Sequence, residues 1–131
     1  FDWAKQEIRF INAGHNPPFI FVPNQPVKRL ETGTTIVGGF DELPFLEEEV
    51  MENVSEFFLF TFTDGFIETY NEDGEEFGEE QLCHFLEENL ETEQAELHQK
   101  MIQILKSFKG GNEYADDITL LSCRVNTKHR Q

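Results

Sequence analysis

The segment Phe57-Phe58-Leu59-Phe60-Thr61-Phe62-Thr63 constrains this chain more than any other. Aromatic and β-branched residues suit a pleated strand, and seven positions without a charge offer no face to water. Continuous apolarity implies a strand covered on both faces and central in its sheet. Such a strand needs apolar partners, and the chain holds 14 Phe among its 131 residues. That length is one ordinary domain, roughly 100 to 200 residues.

The first half supplies strands. Glu7 to Asn12 alternates polar and apolar residues until its end, Phe19 to Val22 is a short buried strand, and Val27 to Leu30 is its hairpin partner across Pro23-Asn24-Gln25-Pro26. Thr32 to Gly39 reads as a Gly/Thr-rich loop. Leu46 to Val54, with four glutamates among apolar residues, reads as a partly exposed strand. Tyr70 to Gly74 is a turn. From Glu79 onward, Leu82, Cys83, Phe85, Leu86 and Leu90 recur at helical spacing. Thr92 is the candidate N-cap of a second helix that places Leu97, Met101, Ile104, Leu105 and Phe108 on one face and stops at Gly110-Gly111. Asp116 to Val125 reads as a last strand, and Asn126 to Gln131, including His129, as a frayed polar tail. No repeat or linker interrupts the chain, so it reads as one unit of the α+β class.

Charge removes several functions. The formal net charge is −16, which repels phosphate backbones and anionic membrane surfaces, so neither nucleic acid nor membrane is expected as a partner. No apolar run approaches the roughly 18 residues of a membrane span, and Phe1-Asp2-Trp3 is no signal peptide. Cys83 and Cys123 make neither a disulfide framework nor a zinc site. They are expected to be reduced, buried small hydrophobes in a cytoplasmic protein. The chain opens directly on a strand, as a piece cut from something longer would. The glutamate runs Glu47 to Glu49 and Glu72 to Glu80 read as solvated faces and turns.

Two acidic punctuations could carry chemistry. Asp64-Gly65 follows the apolar strand, with Gly65 permitting a tight turn, and Asp116-Asp117 precedes the last one. Antiparallel neighbours would bring the end of one beside the start of the other, gathering carboxylates at one rim. Oxygen ligands of that kind suit Mg²⁺ or Mn²⁺. Strand alternation would point Asp116 and Asp117 to opposite faces, leaving one as a direct ligand without saying which. Spacing alone favours the plainer alternative, a turn and a solvated Asp-Asp pair. His15, in Asn12-Ala13-Gly14-His15-Asn16-Pro17-Pro18, is held in a rigid loop and suits metal binding, proton transfer or simple capping. His84 and His98 fit no zinc spacing and read as surface residues.

Taken together, "NAGHNPP" (Asn12 to Pro18), "FTFTDGFIETYNEDGEEFGEEQL" (Phe60 to Leu82) and "DDITLL" (Asp116 to Leu121) occur in an order that resembles the SpoIIE-like bacterial serine phosphatases. These are a branch of the metal-dependent, PPM-type protein phosphatases. "ETGTTIVGGF" (Glu31 to Phe40) is similar to a looser form of the family's Gly-containing segment, and the resemblance runs from Phe1 to about Val125. It implies an α-β-β-α sandwich of antiparallel sheets flanked by helices, with two Mn²⁺ or Mg²⁺ ions at one end. Those ions activate a water that attacks phosphoserine or phosphothreonine directly. By motif, Asp64 and Asp116 would be catalytic metal ligands, with Asp117, Gly65, His15 and Asn12 supporting. The substrate implied is a phosphorylated regulatory protein of a partner-switching pathway, such as an anti-sigma-factor antagonist.

The resemblance covers only the C-terminal half of the family's domain. The N-terminal half, with its metal-bridging Asp, is absent from this chain, so the isolated fragment is expected to be inactive. Half a sandwich exposes apolar surface and is expected to form a homodimer. A phosphatase fold that serves only as a binding or dimerisation module is the alternative.

Overall fold

The computed structural model describes residues 1–126. Eight strands and three helices follow one another: β1 (Ile8–Phe10), β2 (Asn12–Ala13), β3 (Phe19–Phe21), β4 (Lys28–Arg29), β5 (Gly33–Thr34), β6 (Glu49–Met51), β7 (Phe57–Phe62), α1 (Asp64–Ile67), α2 (Gly78–Glu88), α3 (Gln94–Lys109) and β8 (Leu120–Val125). The α+β class is as expected. The chain divides into two compact units, Phe1–Thr61 with the segment from Ser122, and Phe62–Leu121.

In the first unit the apolar strand is central. The four-stranded sheet has the order β4-β3-β7-β8. β3 lies antiparallel to β4 and to β7, with Phe19 opposite Phe60 and Phe21 opposite Phe58. Period-two alternation therefore puts these four phenylalanines on one face, where neighbouring rings lie 6.0 to 6.5 Å apart. On this sheet's other side Ile20 is buried in a cluster with Ile8, Leu30, Val54 and Phe57. Burying that much aromatic and aliphatic surface stabilises the sheet by about 1.5–3 kcal/mol per side chain.

Two small pairings complete the unit. β1 and β6 are antiparallel, Arg9 opposite Val50. β2 and β5 are parallel, Asn12 opposite Gly33, so the segment expected to be loop contributes a strand. Glycine makes this possible: a Cβ on Gly33 would stand 1.9 Å from the Asn12 carbonyl oxygen.

In the second unit Phe62, Phe66, Phe77, Leu82, Leu86, Leu97, Met101 and Leu105 are buried. Phe77 meets Phe66 and Phe108 edge-on at 5.3 and 5.2 Å, the arrangement that ring quadrupoles favour. α3 starts at Gln94, capped by Glu93, whose carboxylate accepts from the Ala95 and Glu96 amides. Thr92 is thus not the cap. Ile104, placed by spacing on the buried face, is 39% exposed, so that face is narrower than the apolar stripe.

The last strand is shorter than expected. β8 begins at Leu120, a bend at Ala115-Asp116 precedes it, and neither Asp116 nor Asp117 lies in the strand. Both cysteines are free, but Cys123 is exposed and Cys83 only half-buried, against the expectation that both are core. No described helix is long and apolar enough to cross a membrane. The tail read as frayed, with His129, lies outside the described residues beyond Asn126.

Candidate metal-binding rim

The rim is built by Thr63 and Gly65. Thr63 ends the apolar strand, and its amide donates to the Thr119 carbonyl at 3.1 Å. Its hydroxyl donates to the Asp117 carbonyl at 3.0 Å and accepts from the Thr119 amide at 2.9 Å. Thr63 therefore occupies the N-cap position of α1 without capping it, because the hydroxyl is engaged across the strand ends. The expected meeting of the two strand ends is found, and a threonine side chain ties it. Sequence reasoning passed over Thr63, whose signal was its place between an apolar strand and an Asp-Gly pair.

Gly65 does more than permit a turn. Asp64 opens the four-residue helix α1, so the Asp-Gly pair starts a helix rather than a tight turn. A Cβ on Gly65 would lie 2.6 Å from the Asp117 carbonyl oxygen and 3.1 Å from that of Asp116. Any side chain would push the two backbones apart, so glycine is needed for close approach. This contact holds Asp64 beside the Asp116-Asp117 backbone.

All three carboxylates at the rim are exposed. Asp64 Oδ1 accepts from the Gly65 amide at 3.1 Å, and Asp116 Oδ1 from the Asp117 amide at 2.7 Å. Among the described residues none of them forms an ion pair with a cationic side chain. Neither Asp116 nor Asp117 belongs to a strand, so alternation does not separate their roles. Exposed carboxylates without cationic partners have the donor chemistry for Mg²⁺ or Mn²⁺. Among the described residues, however, no three His, Cys, Asp or Glu side chains gather as a metal cluster.

Asn12 and His15 lie in the first unit. The Asn12 side chain accepts from the His15 amide at 2.9 Å and donates to the His15 and Leu30 carbonyls at 2.9 and 3.0 Å. Asn12 therefore folds its own loop. His15 is exposed, with Nδ1 2.7 Å from the Asn16 carbonyl. A carbonyl only accepts, so Nδ1 carries the proton and, in the neutral ring, Nε2 is left as the acceptor. Burial first, then Glu87 and Glu79, push the Cys83 thiol pKa up, which disfavours its thiolate.

The chain matches the family of Stage II sporulation protein E (SpoIIE) over residues 1–126, and it belongs to that family. Its fold is shared with solved phosphatase structures. The SiaA PP2C domain of Pseudomonas aeruginosa superposes with a TM-score of 0.77 at 20% identity, covering 93% of this chain and 48% of that one. The RsbU and RsbW domains of a Mycobacterium tuberculosis protein give 0.64 at 21%, covering 95% and 35%. The SpoIIE phosphatase domain of Bacillus subtilis gives 0.60 at 17%, covering 100% and 58%, and its manganese-presoaked form 0.52 at 16%, covering 95% and 58%. The chain thus spans about half the length of these structures. A comparison with curated protein sequences gives no match.

Proposed function

We propose that this chain is the C-terminal part of a metal-dependent phosphatase domain that removes phosphate from serine or threonine of a regulatory protein in bacterial partner-switching signalling. One observation carries the reading: the close approach of Gly65 to Asp116-Asp117, which sets the acidic start of α1 against the acidic segment before β8 at one rim. Membership of the SpoIIE family and the manganese-presoaked relative support it. Asp64 and Asp116 would hold Mn²⁺ or Mg²⁺, with ligands from the preceding half of the domain completing the set. Bound ions lower the pKa of a water and offset charge on the phosphoryl oxygens. This chain's part is to hold carboxylates rigidly: Thr63 fixes the strand ends, and Gly65 fixes their spacing. Asp117, His15 and Asn12 support, and a phosphorylated anti-sigma-factor antagonist in the cytoplasm is the substrate class.

In the full-length protein, Asp64→Asn and Asp116→Asn should each cut Mn²⁺-dependent dephosphorylation of a phosphoserine peptide by more than about 100-fold, beyond the range typical of outer-shell partners. Melting in the absence of metal should hold or rise, since each change relieves repulsion. Retained turnover in both variants would leave the binding-module reading. The isolated chain should hydrolyse p-nitrophenyl phosphate far more slowly than the complete domain. It should also sediment as a dimer or larger, because Ile36, Val37, Phe40 and Leu46 are each at least 59% exposed.

A further inference from the structure

A groove of about 600 Å³ opens beside Asp116 and Asp117, inside the second unit. Its other walls are Tyr114 and Ile118 from the loop before β8, and Ile102 and Lys106 from α3. It continues along the same helix into a second concavity of about 350 Å³ that shares Ile102 and Lys106 and reaches His98. His98, Ile102 and Lys106 recur every four residues, so they form one stripe along α3. The stripe lies one position from the buried row Leu97, Met101 and Leu105, which anchors the groove's floor to the core. Tyr114 is held as well: Lys109 Nζ sits 5.1 Å from its ring centre and is itself fixed by the Asn112 carbonyl at 2.5 Å.

The groove is bipolar. Asp116, one of the two proposed metal ligands, and Asp117 line it, and so does the Lys106 ammonium, exposed and without an ion pair among the described residues. Apolar Ile102 and Ile118 and the Tyr114 ring share the lining. Lys106 is a rare cation in a chain with 26 acidic and 10 basic residues. It is therefore the point where this surface can accept a negative side chain.

Resting on the phosphatase reading, we propose that this groove binds the substrate segment flanking the phosphoserine and selects one with an apolar side chain followed by an acidic one. With the phosphate at Asp116, the chain of a substrate peptide would run along α3. Its apolar side chain would cover Ile102 and Ile118, and its carboxylate would meet Lys106. Lys106 is then a specificity residue and touches no reacting atom.

The test is a charge exchange in the full-length protein. Two phosphoserine peptides are compared, one flanked on both sides by Leu-Glu and the other by Leu-Lys. Fluorescence anisotropy of the dephosphorylated forms is measured in parallel. The wild type should bind the Glu peptide about tenfold more tightly, with the difference in KM rather than kcat. Lys106→Glu should invert that preference, and Lys106→Gln should abolish it. Thermal melts of both variants check that the last turn of α3 is intact. Equal binding of the two peptides by the wild type, or the same preference in wild type and Lys106→Glu, overturns the proposal. Should Mn²⁺-dependent turnover be missing with both peptides while the binding preference inverts as stated, the phosphatase reading fails and the groove stands.

Discussion

In the loop after β2, the Asn12 amide is engaged three times and its carbonyl and amino groups all point inward to backbone. At the rim after β7, the backbone and the Thr63 hydroxyl make the connections, and the Asp64 and Asp116 carboxylates are left with one local amide each. Both segments are short polar interruptions at strand ends. In the first the polar side chain is the structural device. In the second the structure is made by other groups, so the carboxylates remain available to a cation. A side chain whose hydrogen bonds are used up in its own loop is a support, and one whose loop is fixed by its neighbours is a candidate ligand.

The sharpest way to break this comparison is to disturb the rim's scaffold without touching its charges. Gly65→Val inserts three carbons where even a Cβ would stand 2.6 Å from a carbonyl oxygen. Overpacking of this kind costs about 1–3 kcal/mol. The full-length protein should therefore melt lower and lose Mn²⁺-dependent activity while Asp64 and Asp116 are both present. An active Gly65→Val variant would show that the approach of the two backbones does not set the site.

The counterpart in the other loop is Asn12→Ala. It strands the His15 amide and two carbonyls, and a part-buried group left unpaired costs about 1–3 kcal/mol. Half-exposure of this loop lets water compensate, so the lower end of that range is expected, read as a shift in chemical denaturation midpoint. Activity should fall less than in Gly65→Val. A loss of activity without loss of stability would move Asn12 from support to direct participation.

The central strand, the hairpin beside it and the helical half were legible because apolar periodicity reports burial directly. Phe57 to Phe62 and the Leu97, Met101, Leu105 row needed nothing else. What the sequence hid was set by contacts distant along the chain. Asp116-Asp117 reads as the start of a strand from its apolar continuation, yet the strand begins only at Leu120, and the Thr119 amide goes to the Thr63 hydroxyl. Gly33-Thr34 reads as loop, and only the tight passage past Asn12 makes it a strand. Glu93 caps α3 although Thr92 has the more usual side chain, since a carboxylate one residue later reaches two amides at once. At the site, the aspartates were legible as punctuation; Thr63 and the reason for Gly65 were not, because both depend on atoms about 50 positions away.

Smaller effects separate the supporting residues. His15→Ala should reduce full-length activity more than Asp117→Asn does, with stability within about 0.5 kcal/mol of wild type for both, as for exposed side chains generally. Since neither Asp116 nor Asp117 lies in a strand, paired variants must decide between them. An inactive Asp117→Asn beside an active Asp116→Asn would exchange their roles.

Glu49 gives the weakest and most specific contrast, a carboxylate that does have its cation. Read from sequence as part of a solvated run, it pairs with Lys28 and accepts the Thr32 hydroxyl at 2.6 Å. The Lys28 hydrogen bond first, and then that of Thr32, lower its pKa from the ordinary 4.5. A depressed folded value means that the folded state binds fewer protons. The stability it contributes is present above about pH 4.5 and is lost as pH falls through the lower folded value. Lys28 and Glu49 side chains are 40% and 27% exposed, so solvent screening limits the pair to about 0.2–1 kcal/mol. Glu49→Gln should therefore melt slightly below wild type near neutral pH, and the two should converge under acid. Added salt should narrow the gap at neutral pH, because half-exposed charges are screened over a Debye length of about 10 Å at 0.1 M. A gap that stays constant from neutral to acid pH would mean that Glu49 acts by shape alone. Its distinction from the cation-free carboxylates of the rim would then lose its electrostatic basis.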